Sequence, residues 1–163
     1  MTSRLRSLIA SVSFGRRLQN IKRSLHEMRR RVLGRSHQVI YFHQIDDPYS
    51  HLLVQALARV QSSYDIDLQL RIVPAPSDDA APERVALEDY SRRDATAIAP
   101  FYDLQFEDPG NQPTAEICQL AERALVATGN KVTAAIEIGA ALWAGDSQTL
   151  SKLPLVSDTL AAE

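Results

Sequence analysis

The sequence predicts an α/β chain: one strand–helix–strand unit, then a layer of helices, on a sheet that two strands leave incomplete. Three observations carry this reading. "VIYFH", residues 39–43, is β-branched and aromatic without alternation, as in a strand buried on both faces of a parallel sheet. Leu52, Leu53, Ala56, Leu57 and Val60 then recur at helical spacing. "DIDLQLRIV", residues 65–73, alternates strictly, with Ile66, Leu68, Leu70 and Ile72 on one side and Asp65, Asp67, Gln69 and Arg71 on the other. That pattern belongs to an edge strand with one wet face.

Taken in order, the chain opens with a basic helical extension over 1–38. It holds ten of the 18 Lys/Arg and one of the 20 acids, Glu27, for a net +9; the remainder carries −11. Leu18, Ile21, Leu25, Met28 and Val32 are spaced 3, 4, 3, 4 and line one side of a helix. Leu5, Leu8, Ile9 and Val12 make a shorter stripe before Gly15. Such an arm can pack on an acidic surface or a partner, lie on anionic lipid across 1–33, or serve as an Arg-rich organellar presequence. Phe14 is the one Phe, Tyr or Trp in this arm and no recognised motif accompanies the charge, so it does not suggest nucleic-acid binding.

The domain proper runs 39–163, with strand 39–43, helix 47–62, strand 65–73 and a helical layer over 82–160. Asp47 suits an N-cap and Pro48 position N1, where its missing N–H costs nothing. Strand, helix and strand this close make a right-handed βαβ unit. Pro82–Glu83 starts a helix carrying Leu87, Tyr90, Ala97 and Ile98. The loop "YDLQFEDPGNQP" separates it from a helix beginning at Thr114, with Ile117, Cys118, Ala121 and Leu125 inward. "TGN" at 128–130 stops that helix, Lys131–Ala144 is the next, and "DSQTL" begins another. Two parallel strands do not make a stable sheet. The sheet is therefore expected to be completed by a C-terminal segment absent from this chain or by a partner.

Composition narrows the function classes. With 45% hydrophobic and 23% charged residues the chain is of the globular type. A single cysteine, Cys118, excludes an internal disulfide and any CxxC motif, and its place on an apolar helical face makes it a small core residue. Trp143 reads as core as well. No run approaches the ~20 apolar residues of a membrane span. A cytoplasmic location is expected, with the organellar matrix or a membrane surface as alternatives.

The residues of "DDPYSHLL", 46–53, leave three readings open. Asp47 caps the helix and Asp46 is its solvated neighbour. Or one aspartate is a general base or a raised-pKa acid, with Tyr49 or Ser50 supplying a hydroxyl. Or Asp46 and Asp47 bind a metal with His43 and His51, although that spacing matches no ligand motif, and no metal is expected.

An aromatic strand, "DDPYSHLL", a βαβ unit, "DATAIAPFYDLQF" and "IGAALWAGD", in that order over roughly 39–150, resembles the DsbA-like branch of the thioredoxin fold. Within it the chain is most similar to the 2-hydroxychromene-2-carboxylate isomerases and kappa-class glutathione transferases, which carry Ser-Pro-Tyr-Ser where this chain reads Asp47-Pro48-Tyr49-Ser50. The resemblance implies a thioredoxin-like βαβ unit with a DsbA-type all-helical insertion. It also implies a glutathione thiolate at the start of the first domain helix, met by Pro48 and Ser50, and a hydrophobic substrate pocket near Ser91–Phe106. Asp47 departs from the serine that would donate to the sulfur. The expected function is a glutathione-dependent isomerase or transferase acting on a hydrophobic small molecule, with Asp47, Ser50, Tyr49 and Asp46 as catalytic candidates. The alternative is a non-catalytic thioredoxin-fold binding module whose basic arm meets a partner or membrane surface.

Overall fold

The computed structural model describes residues 18–77 and 79–153. It is a mixed α/β structure of six helices and a two-stranded parallel sheet. The chain divides into two units, Met1–His37 and Gln38–Glu163. The stripe expected at Leu5, Leu8, Ile9 and Val12 lies outside the described residues, as do residues 154–160 of the expected helical layer.

In the first unit, helix α1 covers residues 18–32. Its single acid is fully engaged. Glu27 accepts from Arg30 at 2.9 Å and Arg31 at 2.8 Å, and stands 3.4 Å from His37. The Arg30 hydrogen bond is the main reason its carboxyl is held down to about 2.

In the second unit, β1 (His37–His43) runs parallel to β2 (Ile66–Ile72), and the Val73 N–H extends the ladder to the His43 carbonyl at 2.9 Å. Helix α2 (Pro48–Ser63) connects them. It starts where an extended Asp47 and a proline at N1 dictate. Then come α3 (Arg84–Ile98), a 3-10 turn (Ala99–Tyr102), α4 (Ala115–Ala127), α5 (Val132–Trp143) and α6 (Ser147–Lys152). Thr114 and Asp146 cap α4 and α6 through backbone N–H groups of Ile117 and Thr149. Helices α4 and α5 end in paired backbone bonds around Gly129 and Gly145, whose positive φ values of 72° and 66° a side chain would resist.

Two features differ from the sequence reading. β1 is buried on one face only: Tyr41 and His43 point inward, while Ile40 and Phe42 are 49% and 63% exposed. Its unbroken apolar run promised cover on both sides. The described hydrophobic core, however, gathers only on the inner face, where Tyr41 and Leu70 join Val54, Leu125, Ile138 and Leu150. The second difference is α3, whose expected apolar positions Leu87 and Tyr90 are exposed. Its buried residues are Ser91, Arg92 and Ala95, and Arg92 is admitted because each of its three guanidinium nitrogens donates a hydrogen bond.

Helix α2 is buried on two sides. Val54 belongs to the main core against α4 and α5, and Leu52 belongs to a second cluster with Ala95 and Ala99, flanked by Leu104 and Phe106. Burying a leucine or valine on this scale contributes about 2 kcal/mol.

The one-sided sheet has a measurable consequence. Leu70→Ala should cost about 2–5 kcal/mol in a denaturant titration, as for a buried leucine. Phe42→Ser should stay within about 0.5 kcal/mol, as at an exposed position. A large loss for Phe42→Ser would show that the outer face is covered after all.

Candidate functional site

The turn into α2 is built as a cap. Asp47 Oδ2 accepts the Ser50 N–H at 2.8 Å, and Pro48 is buried at N1. The Ser50 carbonyl accepts the Tyr41 hydroxyl at 3.0 Å. Tyr49 donates its hydroxyl to Asp94 Oδ2 at 2.7 Å, a strut from α2 to α3. Burial first, then the Asp94 bond, pushes the Tyr49 phenol above its ordinary range. Asp46 accepts from Gln44 Nε2 at 3.0 Å, and its carbonyl accepts from Gln112 Nε2 at 2.7 Å. The four candidate catalytic residues are thus neighbours, each with a structural tie. The Ser50 hydroxyl has no hydrogen-bond partner among the described residues, so the Tyr49 hydroxyl on Asp94 is the hydroxyl–carboxylate pair of this turn, and neither Asp46 nor Asp47 holds a hydroxyl among those residues. The cavity beside Asp46, Asp47 and Pro48 is only about 110 Å³.

A larger space lies along the next turn of α2. A cleft of about 730 Å³ is walled by His51 and Gln55 of α2, the 99–109 segment, and Ile136, Ala140 and Trp143 of α5. Its wall carries an aromatic chain: His51 and Phe106 ring centroids are 6.3 Å apart, and Phe106 meets Trp143 edge-on at 5.1 Å. His51 and Trp143 are each only 4% exposed. His51 Nδ1 and Trp143 Nε1 are buried with no hydrogen-bond partner among the described residues. The His51 ring lies so close on α5 that a Cβ at Gly139 would stand 2.3 Å from Nδ1.

Side chains of α2 and α3 hold the loop that forms the cleft. Gln55 clasps Gln105 in both directions, donating to its carbonyl at 2.8 Å and accepting its N–H at 2.9 Å. Arg59 donates to the Tyr102 carbonyl at 2.9 Å and to Asp103 Oδ2 at 3.2 Å. Buried Arg92 reaches Asp108 at 3.0 Å, Gln112 at 3.0 Å and Asp89 at 3.1 Å. Since Gln112 also holds the Asp46 carbonyl, Arg92 joins the cleft loop to the α2 turn.

From the sequence, His51 enters only as a metal-ligand candidate and Trp143 only as core; Arg92 and Phe106 enter only as part of the Ser91–Phe106 segment near which the resemblance puts a pocket, and Gln55 carries no assignment. A lone mid-helix glycine four residues before the lone tryptophan was the available signal, because i and i+4 share a helix face. Among the described residues no group of His, Cys, Asp and Glu is placed to hold a metal ion. His43 instead meets the Tyr41 hydroxyl through Nδ1 at 3.3 Å. Cys118 is half-buried, and burial, with Asp46 and Glu122 nearby, pushes its thiol up to about 11, far from a thiolate.

Burial lowers both inner histidines to about 4 from 6.5. An unfolded chain therefore takes up protons near pH 6.5 that the folded chain refuses until about pH 4. Stability is fully present above pH 6.5 and drains as the pH falls through that window, on the order of 2 kcal/mol per histidine. Melting temperatures should be flat from pH 6.5 to about 8, below the range in which the raised Cys118 and Tyr49 groups titrate, and drop towards pH 4.5, and a His43→Gln/His51→Gln variant should lose most of that slope. A slope unchanged in the double variant would assign it to other groups.

No family model matches the chain, and neither a curated protein nor a solved structure does.

Proposed function

We propose that this chain is a thioredoxin-fold protein of the DsbA-like branch, akin to the 2-hydroxychromene-2-carboxylate isomerases and kappa-class glutathione transferases, that binds a neutral or cationic aromatic small molecule without thiol chemistry. The observation that carries the reading is the cleft of about 730 Å³ with Phe106 set edge-on to Trp143. Its volume is in the range of small-molecule sites, and tilted aromatic rings favour a flat apolar guest. Its walls come largely from "DATAIAPFYDLQF" and "IGAALWAGD", two of the segments on which the resemblance rests. Glu107 lines it as well, and its exposed carboxylate works against an anionic ligand, while the charge of neighbouring Asp108 is taken by Arg92.

Glutathione fits the α2 turn poorly. Asp47 already takes the Ser50 N–H, so a thiolate there meets a like charge instead of a donor. At ~4 Å and an effective dielectric of ~20 that repulsion is about 4 kcal/mol before screening. An isomerase-type proton transfer at the turn would need a hydroxyl set against Asp46 or Asp47; that of Tyr49 is committed to Asp94, and that of Ser50 makes no hydrogen bond to either aspartate. Binding in the cleft therefore ranks ahead of catalysis at the turn.

The single tryptophan is the readout, since Trp143 lies in the cleft wall. Naphthalene-sized neutral or cationic probes should change its emission saturably, and a matched anionic probe should bind more weakly. Ala140→Phe, at an exposed position of the wall, should weaken binding about tenfold while leaving the melt intact. Absence of saturable change, or tightest binding by the anion, would overturn the cleft reading. Asp47→Ser keeps a good N-cap, removes the charge and should raise glutathione affinity by about one to three decades. Tighter glutathione binding by the unmodified chain would overturn the non-thiol reading.

A further inference from the structure

The first unit carries a surface that the cleft does not use. On α1, Leu18, Ile21, Leu25, Met28 and Val32 are 48%, 56%, 55%, 59% and 81% exposed. At 100° per residue they occupy one narrow stripe. Lys22 and Arg29 flank it on one side and Ser24 and Arg31 on the other. Lys22, Arg23, Arg29 and Arg35 form no ion pair among the described residues. The one acid, Glu27, lies away from the stripe with its charge taken by Arg30 and Arg31.

We infer that residues 18–35, helix α1 and the turn after it, are a peripheral docking segment that lies flat on an anionic lipid surface. The apolar stripe enters the headgroup boundary, while the flanking Lys22, Arg29 and Arg31 extend their heads to the lipid phosphates along apolar stems. The net charge of this stretch is positive, with six cations against one carboxylate, and complements such a surface. A second copy of the helix is a poor occupant. The 3, 4 spacing would suit a coiled-coil seam, but an antiparallel pair would set the flanking Lys22 and Arg29 against each other, and a parallel pair would set Arg29 against Ser24, so neither offers these cations an acid. Nucleic acid would use the charge and leave five aliphatic side chains without a role. The helix lies on the surface and does not cross it: among the described residues no helix is long and apolar enough to span a membrane.

The test is flotation of the full chain with phosphatidylcholine vesicles, with and without phosphatidylserine. Binding should require phosphatidylserine and should fall steeply as salt rises to about 0.5 M. Leu25→Gln/Met28→Gln, which leaves the charge unchanged, and Lys22→Gln/Arg29→Gln/Arg31→Gln should each weaken it about tenfold or more. Matching circular dichroism would show that the variants fold alike. Three results would overturn the inference. One is no recruitment to phosphatidylserine vesicles. Another is recruitment that Leu25→Gln/Met28→Gln leaves unchanged, or that polyglutamate or duplex RNA matches in strength. The third is self-association in sedimentation, abolished by Leu25→Gln/Met28→Gln, in place of vesicle binding.

Discussion

The seat of the His51 ring on the backbone of Gly139 sets how closely α2 and α5 approach, and the functional face of the second unit follows from it. Any side chain at 139 would meet Nδ1 at 2.3 Å, so the two helices pack at a distance only glycine permits. His51 is consequently buried and kept neutral. Trp143, one turn after Gly139, is brought against Phe106, and Gln55, one turn after His51, is placed to clasp the Gln105 backbone. One close approach thus positions two walls of the cleft and the clamp on its third.

The remaining wall depends on Arg92. A buried guanidinium is tolerable only when paired, and removing one partner of such a network typically costs 3–5 kcal/mol. Arg92 meets Asp89, Asp108 and Gln112, and Asp108 in turn accepts the Gly110 N–H at 2.8 Å. Through Gln112 the same network fixes the Asp46 carbonyl. The turn that looked like a catalytic centre therefore doubles as the anchor of the cleft loop. Asp46 is tied into that network, Asp47 caps α2 and Tyr49 braces α3, so all three carry structural duties.

What the sequence disclosed, and what it hid, divides along physical lines. The start of α2 was legible because Asp47-Pro48 is a local signal, decided by backbone N–H groups within one turn. The alternation of β2 and the stops at Gly129 and Gly145 were legible for the same reason. β1 was misleading, since four apolar residues in a row, Val39 to Phe42, do not say which face the rest of the chain will cover. The inward turn of Arg92 was hidden because its partners Asp108 and Gln112 lie 16 and 20 residues away. The resemblance placed a hydrophobic pocket near Ser91–Phe106, but that His51 and Trp143 share a wall with Phe106 was hidden, because the three come from separate elements and carry no shared motif.

The central claim is that His51 and Gly139 fit each other, and a double-mutant cycle tests it most directly. Gly139→Ala should destabilise the unmodified chain by about 1–3 kcal/mol, because the added methyl overlaps the imidazole. In a His51→Ala background the overlap is gone, and the same change should become stabilising by up to about 1 kcal/mol, the ordinary helix preference for alanine over glycine. A Gly139→Ala effect of the same sign and size in both backgrounds would contradict the account.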